Sequence, residues 1–206
     1  MKALSYEIGA FWLGDSPAEP STIELDGDPT AYDQATVTLR APSGMVDGTI
    51  PATIGDDADT ISITWPANTF TEAGRWSARI VLTSESQRTT IAPLPFIVQA
   101  DDGWHTLDSA RDEWTDAPTT DASLWTVLEI AKEQVIEFGP LIPEGDLPPT
   151  RFVQAQLMQA RNTWNAVVVD PSNGQIGDDS FQIRPFPLDW SVKNVIRPKK
   201  AVPWVG

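Results

Sequence analysis

The sequence contains no cysteine and only one histidine, His105. Without cysteine, the chain has neither disulfide bonds nor thiolate metal ligands. A Ser-His-Asp or Cys-His catalytic device would depend on His105, which lies between Trp104 and a predicted helix cap, so we assign it a structural role. Glycine-rich phosphate-binding motifs of the GxGxxG and Walker A types are also missing. We therefore predict a non-enzymatic protein with no catalytic residues and no cofactor.

Long apolar runs are missing as well. No run of about eighteen or more apolar residues occurs, which predicts that there is no transmembrane helix. Residues 1–17 contain one lysine and no sustained apolar segment, so we predict no secretory signal. The acidic turns at 26–28 and 56–59 lack a complete calcium-binding loop, and we predict no metal site. These absences fit a protein that is made in a reducing cytoplasm.

Basic residues are scarce, with 14 lysines and arginines against 29 acidic residues and a net charge of −15. Such acidity opposes non-specific binding to nucleic acid, because phosphates are repelled. It fits either a soluble acidic protein or a surface that DNA passes without sticking. Residues 184–206 hold five basic residues and one acidic residue, a charge of +4, so the residues before them carry −19. A basic tail on an acidic body is typical of a docking arm.

Residues 1–100 carry short runs in which apolar and polar residues alternate, as at 35–39, 61–65 and 76–82. This period of two, with turn clusters between the runs, predicts a β-sandwich. The segment 71–78 resembles the entry to the F strand of immunoglobulin-like domains. Trp76 stands where a tyrosine is usual and Ala78 stands where antibody domains have cysteine. We predict an immunoglobulin-like β-sandwich over residues 1–100.

Helical spacing begins after a short linker at 101–103. A helix capped by Thr106 or Asp108 is followed by a second helix, which is capped by Thr120 or Asp121 and ends at the Gly-Pro pair 139–140. Apolar residues recur along the second helix at steps of three and four, at Leu124, Val127, Leu128, Ala131, Val135 and Phe138. This stripe predicts a face that packs against a partner helix.

The stretch 150–170 predicts a third helix, roughly 30 Å long at ~1.5 Å per residue. Its predicted apolar stripe contains Val153, Leu157, Ala160 and Trp164, with glutamines at polar positions between them. A short helix over 191–196 and an extended, proline-containing tail follow. We therefore predict a C-terminal α-helical bundle over residues 101–206 with an extended C-terminal arm, and an α+β multidomain chain as a whole.

Several segments within residues 103–200 resemble the head-to-tail adaptor (connector) proteins of long-tailed bacteriophages. The resemblance lies in the order of three patterns: Trp104-x-x-Leu107-x-x-Ala110-Arg111-x-x-Trp114, Gln156-Leu157-Met158-Gln159-Ala160-Arg161-Asn162-x-Trp164-Asn165 and Arg184-Pro185-Phe186-Pro187-Leu188-Asp189-Trp190-x-Val192-Lys193. The helix between the first two patterns and the Asp-Pro-Ser-Asn-Gly turn between the last two belong to the same order. Minimal members of this family lack the β-sandwich.

This resemblance implies a structural protein of the virion, located in the neck between head and tail and made in the host cytoplasm. Such proteins form a homo-oligomeric ring, usually of twelve copies, beneath the portal protein. The ring extends the DNA channel, lets double-stranded DNA pass without sequence recognition, and provides a surface for a stopper or tail-terminator protein. It implies no contact with a membrane. The β-sandwich would then decorate or reinforce the ring.

Two sets of residues are candidates for interaction surfaces. We expect portal docking by residues of the last short helix and the basic tail, namely Trp190, Lys193, Arg197, Lys199, Lys200 and Trp204. Glu129, Glu133 and Glu137 lie four residues apart on the second predicted helix, as either a channel-facing edge or a solvated face.

Two alternative functions remain open from the sequence. The first is a phage adhesion or carbohydrate-binding protein that uses the β-sandwich, with an exposed aromatic residue such as Trp12 or Trp65. The second is another neck protein, such as a stopper or a tail-completion protein.

Overall fold

A computed structural model shows that the chain folds into two compact units, Met1–Ala100 and Asp101–Gly206. The structure describes residues 1–4, 8–46, 48–55, 59–168 and 188–197. Within these residues the first unit contains a mixed β-sheet and the second contains four α-helices, so the chain has an α+β architecture. None of the helices in the described ranges combines the length and the apolar character needed to cross a membrane.

The first unit is built from one curled sheet. Its strands are β1 (Ala10–Trp12), β2 (Ser21–Glu24), β3 (Gln34–Ala41), β4 (Gly44–Met45), β5 (Ile50–Ile54), β6 (Thr60–Ile63), β7 (Gly74–Thr83), β8 (Arg88–Thr90) and β9 (Leu94–Gln99). They follow the order β1-β9-β7-β3-β5-β6-β2, with β4 added to β3 and β8 added to β7. Paired strands are antiparallel except β1 and β9, which are parallel.

An aromatic core explains why the sheet curls. Phe11 on β1 and Trp65 just after β6 come from opposite ends of the strand order, yet their ring centroids are 5.3 Å apart. The Trp65 indole N–H donates a hydrogen bond to Ser21 Oγ at 2.8 Å, which satisfies its polar atom inside the core. The sheet therefore closes around its own apolar face as a half-barrel that resembles a sandwich.

The alternation predicted for the central strands is confirmed. On β3 the buried residues are Ala35, Val37, Leu39 and Ala41, and on β7 they include Trp76, Ala78, Ile80 and Leu82. The sequence alternation at Leu4, Tyr6 and Ile8 also predicts a strand, which is wrong at Leu4 and Ile8: both lie outside the strands, and the first strand among the described residues begins at Ala10. Tyr6 is outside those residues. Gly9, at a φ of +123°, interrupts the extended backbone before that strand. Trp65 is only 4% exposed, so it is not the exposed aromatic residue of the carbohydrate-binding alternative.

The second unit contains α1 (Leu107–Glu113), α2 (Asp121–Phe138), α3 (Thr150–Val168) and α4 (Trp190–Ile196). Thr106 and Ser109 form a reciprocal capping box at the start of α1: Thr106 Oγ1 accepts from the Ser109 N–H, and Ser109 Oγ accepts from the Thr106 N–H. Thr120 caps α2 by accepting a hydrogen bond from the Ser123 N–H. Side chains that capture the first free N–H groups thus define where α1 and α2 begin.

The buried face of α2 agrees with the predicted stripe: Leu124, Val127, Leu128, Ala131 and Val135 are all buried. The stripe predicted for α3 was partly wrong. Its buried side chains are Phe152, Ala155, Gln156, Leu157, Gln159 and Ala160, whereas Val153 and Trp164 are only half-buried.

Two glutamines of α3 are buried because their amides bind other elements of the unit. Gln156 is fully buried: its Oε1 accepts from the His105 backbone N–H at 2.9 Å, and its Nε2 donates to the Leu128 carbonyl at 3.1 Å. One helix turn later, Gln159 donates to Gln134 Oε1 at 2.8 Å. Gln159 Oε1 also accepts from the backbone N–H that precedes α4, at 3.4 Å. The pair connects α3 to the segment before α1, to α2 and to the start of α4.

Replacing Gln156 with leucine should destabilise the helical unit. The substitution replaces the amide with an apolar group and leaves the His105 N–H without its acceptor, a loss of about 1–3 kcal/mol for a buried donor. The Leu128 carbonyl loses its second hydrogen bond but keeps the one within α2. Urea unfolding of the full chain, followed by far-ultraviolet circular dichroism, measures the loss. Gln154→Leu, at an exposed position of the same helix, is the matched control. Equal stability of the two variants would contradict a bridging role for Gln156.

Candidate interaction surfaces of the helical unit

The first candidate surface is the outer face of α4. Trp190, Lys193 and Arg197 are spaced by three and four residues, so they share one face, while Val192 and Ile196 are buried on the other. Asp189 caps the helix by accepting from the Ser191 N–H at 2.7 Å. The Trp190 side chain is 69% exposed. We call Trp190, Lys193 and Arg197 the α4 basic face.

The two cations of the α4 basic face lie over the C-terminal end of α2. Lys193 Nζ is 5.8 Å and the Arg197 guanidinium is 4.8 Å from the centroid of the Phe138 ring. Arg197 also donates to the Gly139 carbonyl at 3.4 Å. Cations are favourable at the C-terminus of a helix and over an aromatic ring, so these contacts hold α4 in place. Three further candidates for portal docking, Lys199, Lys200 and Trp204, lie outside the described residues.

Arg151, in the first turn of α3, is an exposed cation that the sequence patterns did not single out. Its guanidinium lies 5.4 Å from the centroid of the Phe152 ring. Phe152 in turn packs so closely on Gly139 that a Cβ at this glycine would lie 2.6 Å from the ring. The first turn of α3 is therefore beside the end of α2. The sequence feature that could have predicted this position of Arg151 is the short, proline-rich connection between α2 and α3.

The predicted acidic edge of α2 is divided by the structure. Glu129 is half-buried, and its carboxylate lies 3.9 Å from Lys132 Nζ, which also pairs with Asp102 at 2.5 Å. Burial raises the pKa of Glu129, and the attraction of Lys132 opposes that rise. Glu133 and Glu137 are exposed, and neither takes part in an ion pair within the described parts of the chain. Glu129 thus belongs to a local charge network, and two carboxylates remain on the surface.

Two isoleucines flank these exposed carboxylates. Ile130 and Ile136 are 37% and 47% exposed. At about 100° per residue, Ile130, Glu133, Ile136 and Glu137 fall within roughly a third of the helix circumference, opposite the buried stripe. We call these four residues the acid–isoleucine face. It is the second candidate surface, and it combines negative charge with apolar area.

His105 takes part in the start of α1. Its Nδ1 lies 3.1 Å from Ser109 Oγ, and that hydroxyl is already engaged with the Thr106 backbone. Burial lowers the pKa of His105; Glu113 opposes this effect and Arg161 adds to it. These contacts place His105 in the hydrogen-bond network that caps α1.

No group of three or more potential metal ligands occurs among the residues for which positions are given. Of the acidic turn residues considered for calcium, Asp56 and Asp57 are outside those residues. Asp28 instead caps a 3₁₀ turn by accepting from the Thr30 N–H at 2.8 Å. Thr30 Oγ1 also donates to Asp28 Oδ1 at 2.6 Å, and this hydrogen bond, together with the backbone one, lowers the pKa of Asp28.

Comparisons with known proteins add little to this geometry. No protein-family profile and no curated protein matches the chain. Among solved structures, CopC from Methylosinus trichosporium OB3b aligns with 49% of this chain and 91% of its own, at 14% identity and a TM-score of 0.33. Similarity at this level carries no argument about function.

The pKa of His105 predicts an acid-sensitive helical unit. Because the folded-state pKa lies below the usual value, the unfolded chain binds the proton more readily, and stability present above pH ~6.5 is lost as the pH falls through the folded pKa. His105→Asn should lose less stability than the wild type between pH 7.5 and pH 5.5. Urea unfolding at both pH values measures this difference, and equal losses would exclude the contribution of His105.

Proposed function

We propose that this protein is a head-to-tail adaptor of a long-tailed bacteriophage. In this proposal it is a structural, non-enzymatic protein of the virion neck that forms a ring, of twelve copies, beneath the portal. The observation that carries the proposal is the α4 basic face: exposed Trp190 and two cations collected on one helix of a chain whose net charge is −15.

Several of the described residues that carry the family resemblance lie in the interior of the helical unit. Leu107, Ala110 and Trp114 of the first pattern are buried on and beside α1. The second pattern contains both buried glutamines and thus the connections among α2, α3 and α4. A resemblance carried by such interior positions supports a shared arrangement, here a small helical bundle.

An immunoglobulin-like character of the first unit is supported by the surroundings of Trp76. The indole N–H of this buried residue donates to the Glu72 carbonyl at 3.0 Å. In immunoglobulin domains a tyrosine hydroxyl near the start of the F strand bonds in a similar way to backbone a few residues upstream. Ala78, at the position of the antibody cysteine, is buried as well. We assign this unit a decorating or reinforcing role.

Portal docking by the α4 basic face follows from its chemistry. An exposed tryptophan provides the large anchor that is common in the centres of interfaces, and the cations give direction to the encounter. Lys199, Lys200 and Trp204 follow along the sequence and extend the same combination of positive charge and aromatic area. The acidic remainder of the chain suits a ring through which double-stranded DNA passes without being held, and on which a stopper or tail-terminator protein assembles.

The carbohydrate-binding alternative is favoured by one observation. Trp12 is 37% exposed, and a shallow cleft of about 500 Å³ in the same unit is lined by Tyr32, Asp33, Thr36 and Thr53 among others. Aromatic and hydrogen-bonding side chains are the groups with which proteins bind sugars in such clefts. Binding of the full chain to a glycan array would favour this alternative over the adaptor.

The adaptor proposal predicts rings that attach to the portal through α4 and the tail. Electron microscopy of the purified full chain, alone and mixed with portal rings of its own phage, should show a closed ring seated on the portal. Trp190→Ala with Lys193→Glu should weaken attachment at least tenfold, and deletion of residues 197–206 should weaken it as well.

Arg88→Glu, a charge reversal at an exposed residue of the β-sheet unit, is the control for a general effect of charge. If the Trp190→Ala/Lys193→Glu variant and the protein lacking residues 197–206 both attach as tightly as the wild type, docking through this surface is refuted. A wild-type protein that forms no ring, either alone or with portals, would refute the adaptor proposal itself.

A further inference from the structure

We infer that the acid–isoleucine face of α2 binds α3 of a second copy of this chain, with Arg151 of that copy near Glu133 and Glu137. This inference rests on the proposed ring and specifies the helices through which neighbouring copies meet. The exposed carboxylates of α2 are thereby assigned to a contact between copies, and no longer to the wall of the channel.

The isoleucines distinguish a protein contact from a channel wall. Ile130 and Ile136 keep 37% and 47% of their surface exposed, on the face of α2 opposite its buried stripe. Apolar area gains about 25 cal/mol per Å² when it is removed from water and gains nothing by lining a water-filled channel. Apolar side chains interleaved with carboxylates match a partner that offers both apolar area and positive charge.

The outer face of α3 has the complementary character. Across Thr150–Val168 the sequence contains two arginines and no acidic residue. Arg161 is half-buried over the Trp114 ring, which leaves Arg151 as the exposed cation of the helix. No ion pair within the described residues involves Arg151. The other exposed side chains of α3 are uncharged. Met158 is half-buried against the core of the unit, so only part of its apolar area faces outward.

Charge also decides how two copies are arranged. A symmetric contact between two α2 faces would place carboxylates against carboxylates, which repel each other. A contact between α2 of one copy and α3 of another places opposite charges together. A two-fold pair would form both such contacts between the same two copies, whereas in the proposed ring each copy offers its α2 face to one neighbour and its α3 face to the other. Head-to-tail contacts of this kind propagate, and they close into a ring when the rotation between copies allows it.

The basic residues of α4 lie at the C-terminal end of α2. Lys193 and Arg197 lie over Phe138, and Arg197 bonds to Gly139. Lys132, the cation of α2 itself, is held by Asp102 and Glu129. Among the exposed cations described in the helical unit, we therefore assign Arg151 on α3 to the neighbouring copy and the α4 basic face to the portal.

A charge-swap experiment on the full chain tests the inference. Mass photometry and light scattering, at about 50 mM salt where surface charges are weakly screened, should show rings for the wild type. Glu137→Arg and Arg151→Glu should each raise the concentration for half-assembly at least tenfold. The double variant Glu137→Arg/Arg151→Glu should recover most of the assembly, because each contact again joins opposite charges. Asp112→Arg, an exposed reversal on α1, is the control.

The outcomes separate this inference from the proposed function. Rings that form equally well in both single variants, or single variants that fold by circular dichroism but are not rescued by the swap, would overturn the α2–α3 contact and leave the adaptor proposal standing. If the wild type assembles only on portals, the same four variants are compared there. A wild type that assembles in neither setting overturns both.

Discussion

The helical unit depends on the hydrogen bonds of two buried amides, Gln156 and Gln159. A buried amide is tolerated only when its donors and acceptor are satisfied, and each of these side chains binds groups on two different elements. The requirement is directional, whereas the hydrophobic contacts around it are not. The amides thus define how α3 faces α2 and where α4 begins.

Both candidate surfaces follow from that arrangement. The stripe from Leu124 to Val135 is used in the interior of the unit, so the opposite side of α2 carries the acid–isoleucine face. The N–H of Asp189 bonds to Gln159, which positions the first turn of α4. Val192 and Ile196 then face inward, so Trp190, Lys193 and Arg197 face outward. The packing of the interior, oriented by these hydrogen bonds, therefore determines which charged side chains of α2 and α4 face outward.

The cations of the helical unit are of two kinds: some pair with carboxylates of the same chain, and others are exposed and can contact partners. Lys132 is held by carboxylates of its own chain, and so is Arg111, which pairs with Asp121 at 2.7 Å. Among the described residues of the helical unit, the cations left at the surface are few, and they do not lie on α2 with the exposed carboxylates. A small number of cations on a strongly acidic protein limits the partners that can bind, because most orientations bring like charges together. We regard this scarcity as a source of specificity in the proposed ring and in its attachment to the portal.

The β-sheet unit shows a different balance between local pattern and long-range contact. The alternation on β3 and β7 could be predicted from the sequence because side chains on a strand point alternately to the two faces. The curl of the sheet could not be predicted, because it depends on contacts between aromatic residues that are distant in the sequence. Phe11 and Trp65 lie near opposite ends of the strand order, and they contact each other because the sheet between them curls.

Local sequence rules predicted the period of the central strands, two candidate caps for each of α1 and α2, the buried stripe of α2 and the spacing of α4. Each depends on residues within a few positions of one another, so local rules were sufficient. Contacts between distant parts of the chain determine the burial of Gln156 and Gln159, the pairing of Lys132 with Asp102, and the place of Arg151 beside the end of α2. From sequence alone, a glutamine is predicted to lie on the surface. Its burial requires a hydrogen-bonding N–H or carbonyl from a distant part of the chain, and only the folded chain brings such groups together.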